Sequence, residues 1–397
     1  MPPAMIGSQE ENARDDTSAL EQHLGQATSV VVPLLECGAL AFVTWVLVYQ
    51  ICVQYLVNPE DGLRQNFDIQ PRRATGIALI SLYAVLLLLV LLPWLRLLQM
   101  IWSRPDILPL GDSSNEKASA STKDFAFDRY DAFICDYQGL PLWCEKCRNW
   151  KPDRTHHCKE LGRCVRKMDH YCPWAGGIIA ESTHKFFMQF VFFGTLYTTY
   201  TWVVTAIFLA ERSSKMGSRP GTWIATLAVA VVFCIFGFSM TCMTGWNLMI
   251  NYTSVEGIQR GGVQNIAFLI SRMPPRADSA QISTQSTTPP SSSKKSPNND
   301  SEDHWPVLCT VQRSSGKSYA VMQTQALEHP WYTGLLSGWK DTMGTNVIDW
   351  FLPLRQSPCK QRGRHGEFTW GEVVYDMARK YEADNPGTHL ALLEGIR

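Results

Sequence analysis

Between Cys144 and Cys172 the 397-residue chain places five of its twelve cysteines and three of its nine histidines. Cys144 and Cys147 form a C-x2-C knuckle, the spacing with which a tight turn offers two thiolates to one tetrahedral metal ion. His157 and Cys164 follow, and the four together make one credible set of soft ligands for zinc. A RING-type module would need eight ligands. Two other readings are structural buried thiols and a disulfide knot. The knot is disfavoured because Met1 to Gln26 is polar and acidic, without the positive and apolar regions of a secretory signal, so nothing directs the cluster to an oxidising compartment.

These residues lie in a hydrophilic loop framed by apolar runs. Crossing a bilayer takes roughly 20 apolar residues in a helix. Four runs qualify: Val30 to Leu56, which carries Glu36, Gln50 and Gln54; Thr75 to Leu95, ending at Arg96; Phe186 to Ala210, ending at Glu211; and Thr222 to Trp246. The expectation is an α-helical polytopic membrane protein with transmembrane helices over 30–56, 75–101, 186–210 and 222–246. A cytosolic zinc-binding cysteine-rich domain, 140–185, lies between the second and third. Residues 1–29 form a cytosolic N-terminal segment and 247–276 a juxtamembrane one. Ser, Thr and Pro make up fourteen of the twenty-three residues from Ser279 to Ser301, so 277–303 reads as a disordered linker. Beyond it lies a cytosolic C-terminal tail, 304–397, in which Trp305, Trp331, Tyr332, Trp339 and Trp350 predict a short folded piece against the membrane or the central loop.

Overall charge is balanced, 36 Lys and Arg against 36 Asp and Glu, and the mean hydropathy of −0.11 averages a membrane part with a polar part. No basic block tracks phosphates, which argues against a nucleic-acid partner. Lys and Arg counts orient the spans poorly. Unpaired thiols at metal spacing survive in a reducing compartment, which places the loop and both termini in the cytosol, in an organelle membrane the sequence does not specify. Glu36 is either a snorkelling group or the lining of a cavity. The sequons at Asn251 and Asn299 then face the cytosol and stay unmodified, and Cys309 and Cys359 read as plain cytosolic thiols rather than acylation sites.

The run from Cys144 resembles the cysteine-rich domain of the DHHC protein S-acyltransferases, C-x2-C-x9-H-C-x2-C-x2-C-x4-D-H-H-C-x5-C. Cys144, Cys147, His157, Cys158 and Cys164 fall in register, followed by Asp169, His170, Tyr171, Cys172, Pro173 and Trp174. Thr253-Ser254-Val255-Glu256 resembles the family's T-T-x-E motif. His329-Pro330-Trp331 with Gly334 resembles its C-terminal N-P-aromatic segment, and Pro105 a remnant of its D-P-G. The likeness covers roughly residues 30–260 and 329–351. D-H-Y-C and the Met343 to Trp350 segment resemble a fungal branch. Two tail positions depart from the pattern: the leading Asn is His329 and the later Asn is Gly338.

The resemblance implies an enzyme that moves palmitoyl from palmitoyl-CoA to cysteines of membrane-associated proteins through an acyl-cysteine intermediate. It implies Cys172 as nucleophile, His170 as base and Asp169 as the group that orients and charges the imidazole. The family binds two zinc ions, whereas here only Cys144, Cys147, His157 and Cys164 are complete. Of the second set Cys158 alone remains, with Leu161, Tyr171 and Ile178 in the other places, so one structural zinc is expected beside a small apolar cluster. His170 and Cys172, two residues apart, are expected to meet only if the backbone turns between them. The spans are expected to form an apolar acyl cavity near Cys172, with Trp174, Phe186 and Phe187 close to the interface. Arg163, Arg166, Lys167 and Lys185 are read either as contacts for the CoA phosphates or as solvated surface charges, and Thr253 and Glu256 as structural links. The alternative function is a catalytically inactive zinc-binding membrane scaffold.

Overall fold

Inside hydrocarbon every backbone N–H and C=O must be satisfied within its own segment, so long apolar runs become continuous helices. The computed structural model describes residues 4–111, 127–258, 262–272, 305–313, 315–358 and 363–394, with side chains of the first helix described from residue 20. The linker read at 277–303, Asn299 and Cys359 fall outside the described residues. Helix α1 (Ala4–Thr44) continues as a π-helix over Trp45–Val57 and is followed by α2 (Asp61–Phe67), α3 (Arg73–Ser103), α4 (His184–Met216) and α5 (Gly221–Met249). Among the described residues, four helices are long and apolar enough to cross a membrane: Leu20–Val57, Arg73–Ser103, His184–Met216 and Gly221–Met249.

The chain divides into two compact units. One comprises the described residues within Met1–Asp112, Cys144–Ile258 and Thr333–Gln361. Its long helices pack through Leu47, Ile51, Tyr55, Tyr83, Phe193, Phe208 and Trp223, all buried. At one end of this bundle the Arg72 guanidinium grips Glu211 with two N–H···O bonds of 2.8 Å, and the Tyr55 hydroxyl donates to the same carboxylate at 3.1 Å. A bidentate pair of this kind gives a carboxylate directional as well as Coulombic partners.

Between α3 and α4 the chain runs through β1 (Ala132–Cys135), which belongs to the second unit, and then forms short hairpins. They are β2 (Trp143–Cys144) with β3 (Asn149–Trp150), β4 (His156–Cys158) with β5 (Arg163–Val165), and β6 (His170–Cys172) with β7 (Gly177–Ile179). A region this small has little core, so its shape depends on cross-links and on what it packs against. After α5 come α6 (Ser254–Ile258), then α7 (Leu335–Met343) and α8 (Ile348–Phe351). The Gln189 amide donates to the carbonyls of Asp349 and Trp350 at 3.0 and 3.2 Å, fastening α8 to α4. A Cβ on Gly338 would lie 2.5 Å from the Met249 carbonyl oxygen. An Asn at this position, as in the family pattern, would therefore clash with the end of α5.

The second unit comprises the described residues within Ser113–Trp143, Gln259–Tyr332 and Arg362–Arg397. It is an antiparallel sheet in the order β1, β8 (Asn265–Arg272), β10 (Ser318–Gln323), β9 (Val307–Gln312), with β11 (His389–Leu390) also paired to β8. Helix α9 (Glu372–Asp384) closes one face with Val374, Met377, Ala378 and Tyr381 against Ile134, Ile266, Phe268 and Met322. Trp331 stacks on Trp370 within this core, ring centroids 5.9 Å apart. The His329-Pro330-Trp331 segment, aligned above with a tail motif, thus serves the packing of this sheet unit. The sheet adds to the expectations above, which contain no strand in this part of the chain.

Candidate active site and metal centre

The two hairpins β2/β3 and β4/β5 bring Cys144, Cys147, His157 and Cys164 together, with one donor atom from each lying within 4.8 Å of the others. His157 Nδ1 is 3.5, 3.2 and 4.0 Å from the sulfurs of Cys144, Cys147 and Cys164. Tetrahedral coordination by thiolates and an imidazole sets donors about 3.5 to 3.8 Å apart, so the residues fit a metal ion. Leu108 and Gly111 brace the cluster from outside, donating backbone N–H groups to the carbonyls of Cys164 and Cys147 at 2.9 Å each.

The positions that would carry a second ligand set by resemblance form a mostly apolar cluster instead. Cys158, Val165, Ile178 and Ala180 are buried together, with Leu161, Met168, Tyr171 and Ile107 packed around them. The Cys158 thiol donates to Glu160 Oε2 at 3.2 Å. Apolar contacts hold here what a metal would otherwise cross-link.

β6 carries Asp169 at its threshold and His170 and Cys172 within it. Its backbone is extended and pairs with β7, His170 opposite Ile179 and Cys172 opposite Gly177. The turn expected between His170 and Cys172 is absent. Residues two apart in a strand point to the same face, so extension is what brings them together, and Tyr171 points the other way. The Tyr171 hydroxyl donates to the Gly25 carbonyl of α1 at 2.8 Å.

His170 Nδ1 donates to Asp169 Oδ2 at 2.5 Å, and Cys172 lies on the same face of the strand, within electrostatic reach of the imidazole. Asp169 is held in turn by Ser254, whose backbone N–H donates to Oδ1 at 2.7 Å and whose hydroxyl donates to Oδ2 at 3.2 Å. Burial opposes ionisation of Asp169. The nearby histidines and these hydrogen bonds outweigh it and hold the carboxyl well below the usual range. Burial likewise disfavours the imidazolium of His170, but the bonds and charges of Asp169 and Cys172 raise it from 6.5 to about 9. Phe187 closes one side, its ring edge-on to the imidazole at 5.3 Å.

The Thr253-to-Glu256 segment is a structural link. Glu256 receives two bonds from the buried Arg154 guanidinium, 2.6 and 2.7 Å, and its carboxylate accepts the Thr253 N–H at 2.9 Å. Arg154 also reaches the Asn251 side chain and carbonyl at 3.0 and 2.6 Å. Asn251 is buried in this network, a physical reason for its sequon to stay unmodified. After Pro105, Asp106 accepts from the Ser182 backbone and hydroxyl at 2.9 and 2.5 Å, tying the end of α3 to the start of α4. Sequence reading missed Asp106, Ser254 and Arg154; each lies far along the chain from its partner.

The basic residues offered for CoA are engaged inside the fold. Arg166 pairs with Glu181 at 3.1 Å, Lys167 donates to Asn251 at 3.2 Å, Arg163 donates to the Leu108 carbonyl at 3.0 Å, and Lys185 is buried. Arg166, Lys167 and Lys185 are buried rather than solvated surface charges, and Arg163 is half-buried. Cys309 sits on β9, half-buried, donating weakly to the Tyr137 carbonyl at 3.7 Å.

Cys172 is 8% exposed and opens onto an apolar cavity of about 420 Å³ between α1, α3, α4 and α5. Trp174 and Phe187 line its wall with Cys172, Trp174 edge-on to Phe233, while Phe186 is buried in the adjoining packing. Further along α4 from Phe187, Tyr197 and Thr201 line the cavity, the Tyr197 hydroxyl 2.9 Å from that of Tyr83, which is 2.6 Å from Thr44 Oγ1. Glu36 lines the wall as well.

The family model described as DHHC palmitoyltransferase matches residues 138–261. The chain is 28% identical to Palmitoyltransferase pfa5 of Aspergillus fumigatus, over 91% of each chain. It is 23% identical to Palmitoyltransferase PFA5 of Saccharomyces cerevisiae, over 85% of this chain and 83% of that one. Palmitoyltransferase ZDHHC15 of Rattus norvegicus is 35% identical over 30% of this chain and 36% of its own. The matched segment holds the four-ligand cluster, β6 and the Ser254 and Glu256 contacts, and similarity to fungal relatives of the same description runs along most of the length: residues 138–261 form a DHHC palmitoyltransferase domain.

Proposed function

We propose that the protein takes palmitoyl from palmitoyl-CoA onto Cys172 and passes it to cysteines of membrane-associated proteins on the cytosolic side. The observation that carries this reading is the apolar cavity that begins at Cys172, the sulfur beside His170. Its volume falls within the ~300–1,000 Å³ of ligand pockets, and its walls are almost wholly hydrocarbon.

Each residue then has a task. The Nδ1 bond to Asp169 orients the imidazole and leaves the other ring nitrogen for the Cys172 thiol. Raised to about 9, His170 holds the proton that the thiol gives up, and Cys172 sulfur attacks the thioester carbonyl. The bond between that carbon and CoA sulfur breaks, and His170 returns the proton to the departing CoA thiolate. In the second half an incoming protein thiol gives its proton to His170 and attacks the acyl-Cys172 carbonyl. Cys172 leaves as thiolate and recovers the proton. Asp169 stays ionised throughout and stabilises the imidazolium.

Zinc bound by Cys144, Cys147, His157 and Cys164 would supply a structural cross-link and no open coordination position, because four protein ligands complete a tetrahedron. No disulfide joins the described cysteines, which supports a reducing, cytosolic setting for the cluster.

The test is intact mass spectrometry of purified protein with palmitoyl-CoA, alongside Cys172→Ser and metal analysis of the same sample. A hydroxylamine-sensitive adduct lost in the variant, with about one zinc per chain, is the expected result. Metal-loaded, folded protein without an adduct would overturn the assignment in favour of an inactive scaffold.

A further inference from the structure

Glu36 is the ionisable side chain that the acyl cavity does not explain. It lines the same wall as Leu35, Ala39 and Leu40, and no Lys, Arg or His is among the described residues that line the cavity. Its Oε2 is buried and has no hydrogen-bond partner among the described residues. A carboxylate that snorkels would reach the interface; this oxygen is shut inside.

Depth along α1 follows from its contacts. The Ser29 carbonyl lies near the mouth, 3.6 Å from where a methyl on Gly176 would sit, and Thr44 joins the Tyr83 and Tyr197 hydroxyls further along the bundle. Glu36 lies seven residues beyond Ser29 and eight before Thr44, about 10 Å and about 12 Å at the helical rise per residue. It therefore faces the middle of a chain that starts at Cys172.

Resting on the palmitoyl-transfer reading above, we propose that Glu36 determines acyl-donor specificity. It favours chains that carry a hydroxyl near their middle over the plain saturated chain. Burying a plain chain against Glu36 leaves a carboxyl without a partner, and burying a hydroxylated chain in a wholly apolar cavity would leave the hydroxyl without one. Together the two groups satisfy each other, the hydroxyl donating and an oxygen of the Glu36 carboxyl accepting. Sites built around a substrate hydroxyl discriminate against the analogue lacking it far more strongly than apolar pockets discriminate by size.

The experiment is a competition on the full-length protein in detergent. Palmitoyl-CoA is mixed in turn with its analogue hydroxylated at mid-chain and with the analogue hydroxylated at the terminal carbon. The adduct on Cys172 is read by intact mass. Wild type should prefer the mid-chain hydroxyl by roughly tenfold, and should not prefer the terminal one. Glu36→Leu should invert the preference and raise plain palmitoylation, while Glu36→Gln, which keeps hydrogen-bonding capacity, should retain most of it. Equal ratios in wild type and Glu36→Leu, or equal benefit from either hydroxyl position, would overturn the proposal. If Glu36→Leu does not fold, the wild-type comparison of the two positions and Glu36→Gln still decide it. Absence of any Cys172 adduct from all donors would instead sink the transfer reading itself.

Discussion

Ser254, the first residue of the short helix after the last apolar span, donates both its backbone N–H and its hydroxyl to Asp169, 85 positions earlier in the chain. The backbone bond survives replacement by any residue but proline, so Ser254→Ala removes only the hydroxyl bond and should cost roughly tenfold in acyl transfer, the lower end of what one hydrogen bond to a charged group contributes. Asp169→Asn, which removes the charge that steadies the imidazolium, should cost roughly 10²–10⁴. Single-turnover rates of Cys172 acylation separate the two; equal losses would mean that Asp169 is only a strut.

The ion pair of His170 and Asp169 should appear in the pH dependence of stability. His170 is raised from 6.5 to about 9 in the folded protein, so its stabilising contribution is fully present below pH 6.5 and is lost as pH rises through about 9. Thermal unfolding in detergent should therefore show wild type exceeding His170→Gln most at pH 6 to 6.5, the gap closing by about pH 9. A gap independent of pH would contradict the raised imidazole.

Metal content distinguishes the two cysteine clusters. Cys164→Ser should bring bound zinc from about one per chain to near zero and lower the unfolding temperature, since the cross-link replaces a core. Cys158→Val, placed among Val165, Ile178 and Ala180, should keep the metal and fold normally. Loss of metal in Cys158→Val would assign that thiol to the ligand set.

Arg154 and Glu256 form a buried pair, with Arg154 side-chain exposure at 0% and Glu256 at 9%. Glu256→Ala strips the guanidinium of its carboxylate and should destabilise by about 3–5 kcal/mol. Adding Arg154→Met to that variant should recover part of the loss. Thermal unfolding of wild type, both single variants and the double variant measures the coupling; simple additivity would show that the pair contributes nothing as a pair.

Tyr197 lines the part of the cavity away from Cys172 along α4, with Thr201 one turn further on. Tyr197→Ala removes the ring and its bond to Tyr83, so the variant should shift donor preference toward acyl chains longer than palmitoyl. Competition between acyl-CoA lengths reads the shift, and an unchanged profile would place the length limit elsewhere.

Much of this protein is local information. Four helices are legible because apolar runs beyond the width of a bilayer have one stable backbone solution. The ligand set is legible because C-x2-C spacing reflects a single tight turn, and Cys172 with His170 because they stand beside each other in a motif. What the sequence leaves open is decided by contacts between distant segments. Whether His170 and Cys172 meet through a turn or along a strand depends on β7, which pairs with β6 and extends it. Ser254 and Asp106 become partners of Asp169 and Ser182 only when the helix ends converge. Arg166 and Lys167 look like surface charge in a linear reading because nothing local shows the acid and amide that bury them. The antiparallel sheet draws its strands from three separated stretches, so its alternation is too brief in any one of them to read. Glu36 is the sharpest case: its place in a span was plain from the sequence, but packing of four helices decides that it lines the apolar cavity beside Cys172.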